Sequence, residues 1–300
     1  MSTQDHSRPI SVGAALAHVE RVLLLTHRAP EVAAGALPSI LDIIQDTGAQ
    51  VLVPAAEVVK HPQALASFPK SDGVAMRSDG SDIVLVLGGD GSILRALARE
   101  AGSGAPVLGV NYGRVGFLAS VEQADLEDGL RRALSGDYLI MALPSLGVDW
   151  SDGKVSAVND LALLRGGESR IADLTYSIDG ERVATVRADG IICSTPVGST
   201  AYNLAAGGPT VSWRVRAFVV SFIAAHHLDT RPLVIAPDET MLVTNSARVG
   251  ACDMLVDGVK VGELAPGRSI SIRLSGPDVH LATFAEASFF RRYRQKFGRD

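Results

Sequence analysis

Apolar strand-like runs alternate with helical segments through the first half of the chain, and this alternation constrains the fold more than any other feature. Residues 22–25 and 83–87 are apolar at every position, and stretches with helical spacing follow them at about residues 31–46 and 92–101. A strand that is apolar on both faces must be covered on both faces, which is typical of a parallel sheet between helices. The pattern therefore predicts an α/β domain, to which we assign residues 1–136. Further elements are expected as strands at residues 50–54 and 106–111 and as a helix at residues 122–135.

Asp-Gly pairs mark the second half of the chain. They occur at Asp152-Gly153, Asp179-Gly180 and Asp257-Gly258, close to β-branched residues. An Asp-Gly pair supplies the positive φ angles that two-residue hairpin turns require. We therefore expect a mostly antiparallel β domain over residues 137–280, followed by a helical segment over residues 281–300 that packs back on the first domain.

Composition limits the partners. The 300 residues are 47% hydrophobic and 20% charged with a formal net charge of −5, and no apolar run reaches the roughly 20 residues of a membrane-spanning helix. No overall positive field is present to attract a nucleic acid, and the polar start carries no secretory signal. We therefore expect a cytoplasmic protein that binds neither nucleic acid nor membranes. The basic run at residues 290–296 is interpreted as the solvated face of a helix, and Cys193 and Cys252 as buried free thiols.

A glycine-rich loop, Gly88-Gly89-Asp90-Gly91-Ser92, stands where the most apolar strand ends and a helix begins. Open α/β sheets bind their ligands at this place. Glycines let backbone amides approach phosphate oxygens, and the helix N-terminus adds donors and partial positive charge. Asp90 is then a carboxylate that can accept the proton of a substrate hydroxyl or orient that hydroxyl. The alternative is that Asp90 only caps the helix and the glycines only turn the chain.

A second loop of the same kind spans residues 109–118 and carries three glycines around Asn111 and Phe117. Because neighbouring parallel strands end at one edge of a sheet, the two loops are expected to face one crevice. Neither loop has the Gly-x-Gly-x-x-Gly dinucleotide pattern or the Gly-x-x-x-x-Gly-Lys-Ser/Thr phosphate-loop pattern. The standard Rossmann and P-loop classes are therefore disfavoured.

Residues 189–202 join an apolar strand to a run of small and hydroxyl side chains that ends in Tyr202. Such a surface lets a flat nucleoside lie close to the backbone; the alternative is an ordinary helix cap by Ser199 or Thr200. Arg187 and Asp189 are two residues apart, so on a strand they share a face. They form either a pair for phosphate and ribose contacts or a simple salt bridge.

Asn159-Asp160 follows an alternating strand and can read amide and hydroxyl groups, although most such pairs only form turns. His226 and His227 are adjacent, so on a strand they point in opposite directions and cannot hold one metal together. The sequence contains no zinc or iron ligand pattern, and no metal site made by the protein alone is expected. Mg²⁺ or another divalent cation is expected only as a companion of substrate phosphates.

In this order the motifs resemble those of the NAD kinase family, and the likeness runs from about Arg21 to the C-terminus. The family's Gly-Gly-Asp-Gly loop matches residues 88–91, and its Asn-acidic pair matches Asn159-Asp160. Its Thr-Pro-Thr-Gly-Ser-Thr-Ala-Tyr segment matches residues 195–202. The family's Gly-Gly-Pro and His-Ser-Leu-x-x-Arg-Pro stretches match Gly207, Gly208, Pro209, His226, Leu228, Arg231 and Pro232.

The resemblance implies an N-terminal α/β domain and a C-terminal β domain, with NAD bound in the cleft and phosphorylated on the 2′-hydroxyl of its adenosine ribose. It implies that Asp90 engages that hydroxyl, that ATP or polyphosphate is the donor, and that the chain forms a homodimer or homotetramer. The residues that it places against NAD are Gly91, Arg95, Phe117, Asn159, Asp160, Arg170, Arg187, Asp189, Thr200, Ala201, Tyr202, Asn203, Leu204 and Ala205. Gly88, Gly89 and Ser92 complete the phosphate loop, and His226 is a candidate phosphate contact.

Seven positions depart from the family pattern, and three of them, Trp213, Phe222 and Ala225, stand where the family tends to have prolines. Ser92 and Asp160 replace Thr and Glu, which keeps a hydroxyl and a carboxylate. Val197 and Val259 replace polar residues, and each lost hydrogen bond would weaken ligand binding about three- to tenfold. The changed proline positions suggest an alternative, a divergent relative that binds NAD or NADP as a sensor with little catalysis, and the lost polarity at Val197 and Val259 also favours it. A lipid or sugar kinase of related architecture is a further alternative.

Overall fold

The computed structural model describes residues 12–14, 18–71, 76–78, 82–114, 116–167, 171–227 and 229–298. These residues fall into two compact units. The first unit comprises residues 12–142 and 278–298, and the second comprises residues 143–277. No helix among the described residues is long and apolar enough to cross a membrane.

The strands are numbered in chain order. Those that begin before residue 143 are β1 (Val12–Ala14), β2 (Arg21–Thr26), β3 (Gln50–Leu52), β4 (Asp82–Gly88), β5 (Pro106–Asn111), β6 (Val121–Glu122) and β7 (Leu139–Leu143). The following strands are β8 (Leu146–Trp150), β9 (Gly153–Ala157), β10 (Asp160–Arg165), β11 (Ala172–Ile178), β12 (Glu181–Ala188), β13 (Gly190–Ser194), β14 (Phe218–Ile223), β15 (Leu233–Ile235), β16 (Met241–Asn245), β17 (Cys252–Val256), β18 (Val259–Leu264), β19 (Ser269–Arg273) and β20 (Val279–Thr283).

The helices are short. The α-helices are α1 (Glu31–Ala34), α2 (Leu37–Asp46), α3 (Ala55–Lys60), α4 (Pro62–Leu65), α5 (Asp90–Arg99), α6 (Leu126–Leu134), α7 (Tyr202–Ala205) and α8 (Phe289–Phe297). Single 3₁₀ turns occupy Gln123–Asp125 and Gly198–Thr200.

The first unit is built on one sheet with the strand order β1-β7-β20-β5-β4-β2-β3, with β6 beside β5. β2 is parallel to β3 and β4, and β5 is parallel to β4, β6 and β20. Every residue of β4 and β5 is buried, which confirms the expected parallel sheet covered on both faces. Helices α2 and α6 contribute to the same core through Ile40, Ile44, Leu130 and Leu134.

The second unit is a sandwich of two six-stranded sheets in which all the described strand pairs are antiparallel. The strand orders are β15-β14-β13-β10-β17-β18 and β12-β11-β16-β19-β8-β9. Leu161 and Phe218 of one sheet share a core with Leu174 and Ile270 of the other. The expected antiparallel β fold is confirmed. Cys193 and Cys252 are buried free thiols, as expected.

Two of the three Asp-Gly pairs form the hairpin turns that they predict. Asp179-Gly180 joins β11 to β12 with φ angles of 47° and 83°, and Asp257-Gly258 joins β17 to β18 with φ angles of 49° and 78°. The third pair is displaced by one residue, because Gly153 already pairs with Trp150 in β9. A Cβ on Gly153 would lie 3.3 Å from the Trp150 ring, so a glycine fits against the indole.

Three predicted helices differ in extent from the observed ones. The segment at residues 31–46 divides into α1 and α2, because Pro38 in the first turn of α2 has no N–H and its ring excludes a preceding helical turn. The helix expected from residue 122 begins later, because Glu122 still belongs to β6. α5 begins at Asp90, two residues before the expected start.

The boundaries of the compact units also differ from the expected domains. β7 and β20 both belong to the sheet of the first unit, so this unit extends to residue 142 and resumes at residue 278. Residues 281–283 are strand rather than helix, because β20 pairs in parallel with β5 through His280 and Leu281. The expected C-terminal helix is α8.

Candidate active site

The first glycine loop joins β4 to α5, and close packing requires a glycine at Gly88. Gly89 precedes α5, and its carbonyl accepts hydrogen bonds from the N–H groups of Ser92 at 2.8 Å and Ile93 at 3.2 Å. A Cβ on Gly88 would lie 2.6 Å from Cβ of Ser92. The loop therefore presents backbone to its surroundings at the carboxyl end of β4, as phosphate-binding loops do.

The carboxylate of Asp90 is held by the second glycine loop. Its Oδ2 accepts a hydrogen bond from the N–H of Phe117 at 2.8 Å, and its Oδ1 accepts one from the N–H of Leu118 at 3.0 Å. No described side chain caps α5, so the alternative in which Asp90 only caps this helix is wrong. Each carboxylate oxygen keeps further acceptor capacity. Asp90 is thus fixed in place, half-buried, and still able to accept a hydrogen bond from a substrate.

The two glycine loops approach each other closely. A Cβ on Gly113 would lie 3.4 Å from Cα of Gly89, and a Cβ on Gly116 would lie 2.2 Å from Oδ1 of Asp90. Asn111 braces the second loop, because its Oδ1 accepts a hydrogen bond from the N–H of Gly113 at 2.9 Å. β4 and β5 are parallel neighbours, so the expectation that both loops lie together at one sheet edge is confirmed.

The ring of Phe117 is buried against α8. Its centroid lies 5.7 Å from the ring of Phe289 and 5.9 Å from that of Phe297, and Nζ of Lys296 lies 5.0 Å from it. Phe117 can therefore contact a ligand only through its backbone.

The interpretation of the basic run as a solvated helix face is wrong for Arg292, which is 5% exposed and lies beneath this loop.

A basic cavity of about 200 Å³ adjoins the first loop. Its basic side chains are Arg28, Lys60, Arg95 and Arg99. Arg95 donates a hydrogen bond to the hydroxyl of Ser92 at 3.0 Å, and burial together with the charge of Arg28 lowers the pKa of Arg95. Lys60 is paired with Glu57 at 2.7 Å. The excess of positive charge suits an anion such as a phosphate chain.

Arg28, Lys60 and Arg99 are functional candidates that the sequence did not single out. Arg28 closely follows β2, whose carboxyl end lies beside that of β4 in the parallel sheet. The rule that ligands bind at the carboxyl ends of parallel strands, which identified the two glycine loops, therefore also applies to Arg28. Lys60 and Arg99 lie at the C-terminal turns of α3 and α5, and no sequence pattern connects them with this cavity.

The Asn159-Asp160 pair of the second unit is held by Asp257. The Asp257 carboxylate accepts hydrogen bonds from the N–H groups of Val158 at 3.0 Å, Asn159 at 2.7 Å and Asp160 at 3.2 Å. Among the described residues, Oδ1 of Asn159 is buried without a hydrogen-bond partner. Buried polar atoms of this kind call for a ligand or an ordered water. The sequence identified Asp257 only as a turn residue.

Asp160 is buried and Asp257 is half-buried, and the like charges of these two carboxyl groups repel each other. Burial, together with the charge of Asp257 acting in the same direction, raises the pKa of Asp160 to about 7. Burial also raises the pKa of Asp257, against the three N–H donors that stabilise its charged form. Near neutral pH the Asp160 carboxyl is therefore divided between a hydrogen-bond donor form and an acceptor form.

The structure brings residues 195–202 onto the Asn159 turn. The N–H of Thr195 donates to the carbonyl of Asn159 at 2.8 Å, and the Thr195 hydroxyl donates to the carbonyl of Val158 at 2.6 Å. A Cβ on Gly198 would lie 2.1 Å from the carbonyl oxygen of Asn159. Two motifs that are separated in the sequence therefore form one surface of the second unit.

The hydroxyls of Ser199 and Thr200 do not cap α7. They donate to the carbonyl oxygens of Pro196 at 2.7 Å and Val197 at 3.3 Å, so the helix-cap alternative is wrong. The Ser199 hydroxyl also accepts the N–H of Val211 at 2.9 Å. These bonds fix the loop, whose residues 195–199 are buried, and only Thr200 at its end is half-exposed.

The residues of α7 differ in what they offer a ligand. Tyr202 is 39% exposed, and Ala201, Leu204 and Ala205 are exposed or half-exposed. Asn203 is fully buried; its Nδ2 donates to the carbonyls of Ser199 and Pro209 at 2.9 Å and 3.0 Å. Its Oδ1 accepts the hydroxyl of Ser221 at 2.7 Å. The Asn203 side chain therefore holds the loop together.

Arg187 and Asp189 do not pair with each other. Arg187 binds Asp173 at 3.0 Å across the β11–β12 ladder, and Asp189 binds Arg165 at 3.0 Å. The salt-bridge alternative for this pair is therefore wrong, because Asp189 lies between two strands and each side chain pairs with another residue. All four side chains remain accessible to solvent.

His226 and His227 lie in the turn after β14 rather than on a strand, and both are exposed. The N–H of His226 donates to the carbonyl of Arg187 at 2.9 Å, which places the two candidate residues together. Arg170, a predicted NAD contact, and Leu228, one of the motif positions, lie outside the described residues.

A fixed carboxylate among backbone donors, next to an anion-binding cavity, is the arrangement that phosphoryl transfer requires. The class of protein that this fold and site define is an α/β phosphotransferase. Comparison with known proteins narrows the class. Residues 17–138 match the model of the ATP-NAD kinase N-terminal domain, and residues 158–284 match that of the ATP-NAD kinase C-terminal domain.

Named relatives agree with the domain matches. The NAD kinase of Corynebacterium diphtheriae is 36% identical over 263 residues, which cover 84% of this chain and 83% of that protein. NAD kinase 2 of Streptomyces coelicolor is 37% identical over 230 residues, which cover 73% of this chain and 74% of that protein. The chain therefore belongs to the NAD kinase family and is a phosphotransferase.

Solved structures share the fold. The structure of yeast NADH kinase in complex with NADH has a TM-score of 0.81 at 22% identity, covering 95% of this chain and 89% of that one. The structure of an NAD kinase from Archaeoglobus fulgidus in complex with ATP has a TM-score of 0.69 at 24% identity, covering 93% of this chain and 97% of that one. The predicted fold class is confirmed.

Proposed function

We propose that this chain phosphorylates the 2′-hydroxyl of the adenosine ribose of NAD to give NADP, with Asp90 as its catalytic residue. The observation that carries this proposal is the pair of hydrogen bonds from the N–H groups of Phe117 and Leu118, which fixes the carboxylate beside both glycine loops. A group that is already fixed loses little freedom when the substrate binds. General-base assistance from such a group contributes about 10²–10⁴-fold to the rate.

In the proposed step, Asp90 accepts the proton of the 2′-hydroxyl while the hydroxyl oxygen attacks the terminal phosphorus of the donor. A P–O bond forms to the ribose, and the bond from that phosphorus to the bridging oxygen of the donor breaks. With ATP the leaving group is ADP. The proton passes from Asp90 to solvent before the next turnover.

We assign the phosphates of the donor to the first glycine loop and the basic cavity beside it. Gly88, Gly89 and Ser92 form the loop, and Arg95, which the family resemblance places against NAD, connects Ser92 to the cavity. ATP and polyphosphate share the phosphate chain that such a cavity recognises. Both are therefore proposed donors.

We propose that Mg²⁺ or another divalent cation enters with these phosphates. Among the described residues no cluster of three or more His, Cys, Asp or Glu side chains is arranged to hold a metal ion, so phosphate oxygens are expected to supply most ligands. Carboxylate oxygen is also a preferred ligand of Mg²⁺, and Asp90 offers it at the loops. When bound, the cation neutralises charge on the transferred group.

For NAD, the support comes from the Asn159 turn. The unpartnered Oδ1 of Asn159 and the titrating carboxyl of Asp160 offer an acceptor and a group that either donates or accepts. The further contacts that we propose from the family resemblance are Gly91, Arg170, Arg187, Asp189, His226, Thr200, Ala201, Tyr202, Leu204 and Ala205. Asn203 and Phe117 contribute through their backbone, because their side chains are engaged within the protein.

Two lost polar groups favoured the sensor alternative, and the structure separates these two positions. Val197 is 3% exposed and belongs to the interior, whereas Val259 is 58% exposed at the start of β18. Only Val259 therefore remains as a lost surface contact. A single weakened contact reduces affinity without removing catalysis, while the fixed carboxylate of Asp90 favours an enzyme.

The test is an assay of the purified full chain with NAD, ATP and Mg²⁺, in which the product is detected by an NADP-specific dehydrogenase. We expect NADP to form and to require NAD, donor and divalent cation. Replacing ATP by polyphosphate and NAD by NADH defines the donor and acceptor. Measurable NAD binding without NADP formation would reject the kinase proposal and support the sensor. Phosphorylation of a lipid when NAD is omitted would support the lipid kinase.

We further propose that the enzyme is a cytoplasmic homo-oligomer. Exposed valines on the second unit support assembly, since Val234, Val249 and Val259 are 59%, 81% and 58% exposed. Light scattering after size exclusion is expected to give the mass of a dimer or tetramer, and a monomer would contradict the proposal. Cell fractionation tests the compartment.

A further inference from the structure

Arg292 is a buried cation on α8. It is 5% exposed, whereas Arg294 of the same helix is exposed. One guanidinium nitrogen donates to the carbonyl oxygen of Phe117. The other terminal nitrogen donates to the hydroxyls of Ser120 at 3.3 Å and Thr283 at 3.2 Å. The guanidinium thus connects α8 to the second glycine loop.

The carbonyl that Arg292 contacts belongs to the same peptide group as one of the donors to Asp90. The carbonyl of Phe117 and the N–H of Leu118 are the two ends of one planar group. That N–H donates to Oδ1 of Asp90 at 3.0 Å, and the N–H of Phe117 donates to Oδ2 at 2.8 Å. A cation at the oxygen of a peptide group polarises it and strengthens the donor at its nitrogen.

The charge of Arg292 is not needed to fasten α8. The helix already packs the rings of Phe289 and Phe297 against that of Phe117. Burial lowers the pKa of Arg292 to about 10, with the charges of Asp90 and Glu122 acting in the opposite direction, so the side chain stays protonated at neutral pH. Burying a charge is costly, and an apolar side chain would serve packing as well or better.

We propose that Arg292 is the positioning residue of Asp90, and that it holds the peptide group between Phe117 and Leu118 so that both N–H donors fix the catalytic carboxylate. This role rests on the proposed function of Asp90. Arg292 touches no substrate and acts on turnover only through the carboxylate. Its loss is therefore expected to lower kcat and to leave the KM for NAD and for ATP nearly unchanged.

The test is a double-mutant cycle of Arg292→Met and Asp90→Asn in the full chain, with kcat and both KM values measured in the NADP assay. In the parent protein, Arg292→Met is expected to lower kcat about ten- to hundredfold, as small misplacements of a catalytic group do. In the Asp90→Asn background the carboxylate to be positioned is absent. The same change is then expected to lower kcat less than about threefold. Equal losses in both backgrounds would overturn the proposal.

Arg294→Met is the matched control, because it removes the same charge from the exposed side of the same helix. It is expected to keep the parent kcat, and a loss equal to that of Arg292→Met would assign the effect to the helix as a whole and overturn the proposal. Arg292→Lys keeps a cation but not the fork that reaches three acceptors, so it is expected to recover part of kcat.

Arg292→Lys also replaces Arg292→Met in the cycle if the Met variant fails to unfold cooperatively. Different experimental results would contradict the role of Arg292 and the proposed function on which it rests. Absence of NADP formation by the parent protein would contradict the function itself. An active parent protein with additive losses in the cycle would contradict only the role of Arg292.

Discussion

Two carboxylates in this molecule are held by the same backbone device in opposite electrostatic surroundings. Asp90 accepts two consecutive N–H groups, and Asp257 accepts three. The charged neighbour of Asp90 is the buried cation Arg292, whereas the neighbour of Asp257 is a second carboxyl group, Asp160. The comparison teaches that backbone donors set the position of a carboxylate, while burial and a like charge nearby raise the pKa of a carboxyl group such as that of Asp160.

The largest effect is expected at Asp90. Asp90→Asn keeps the size of the side chain but removes the group that accepts the substrate proton, so kcat should fall about 10²–10⁴-fold. One of the two backbone donors also loses its acceptor. The midpoint of thermal unfolding should change little. NADP formation near the parent rate would contradict the assignment of Asp90 as the catalytic residue.

Gly116→Ala tests whether the position of the Asp90 carboxylate matters as much as its presence. The added methyl group would lie 2.2 Å from Oδ1, so either the carboxylate or the loop must move, and kcat should fall about 10²-fold. Gly35→Ala is the control, since a Cβ there meets nothing within 4 Å. If both variants turn over alike in steady-state assays, the placement of Asp90 is not what the second loop provides.

Asp257→Asn tests the other half of the comparison. The amide presents one donor to a turn that already offers three, so the free energy of unfolding should fall by about 1–3 kcal/mol. The KM for NAD should rise about tenfold as the Asn159 turn loosens. Asp179→Asn is a matched control in the other Asp-Gly hairpin, where the carboxylate accepts the single N–H of Thr240 at 2.9 Å. Urea denaturation and NAD titration should separate the two variants.

The smallest effect is the pH dependence set by Asp160. Its pKa is raised to about 7 in the folded chain, so below that pH the folded chain binds more protons than the unfolded one. The free energy of unfolding should therefore decrease as the pH rises from about 4 through about 7. Asp160→Asn should remove this decrease. Between about pH 5 and about pH 8 the free energy of unfolding of the variant should exceed that of the parent protein by on the order of 1 kcal/mol. If the stabilities of the parent protein and the variant depend on pH in the same way in urea titrations, the raised pKa of Asp160 is contradicted.

The sequence predicted the loop of Asp90 because its signal is local. An apolar strand followed by glycines and a helix places Asp90 at a sheet edge without knowledge of the rest of the fold. The groups that hold Asp90 were not predictable in that way, because Phe117 and Leu118 lie in another loop. Asp257 carried only a turn signal, since its three donors lie nearly 100 residues away in the sequence.

Side-chain partners were the least predictable part. Strand alternation placed Arg187 and Asp189 on one face. In the structure, however, each pairs with a residue of a neighbouring segment, Arg187 with Asp173 and Asp189 with Arg165. Arg292 stands in a basic run in which its neighbours are exposed, so only the packing of α8 distinguishes it. Periodicity reports which face is buried, but it does not report which polar atoms meet there.

During synthesis the sheet of the first unit cannot be completed until β20 has been translated. This strand inserts beside β5 within the sheet, yet all of the sandwich, residues 143–277, is translated before it. The sandwich is continuous in sequence and is ready to close while the nascent first unit still exposes an open strand edge, which is a point of vulnerability to aggregation. α8 leaves the ribosome later still. The contacts that α8 makes with the loop holding Asp90 are therefore formed only after the sandwich has been translated.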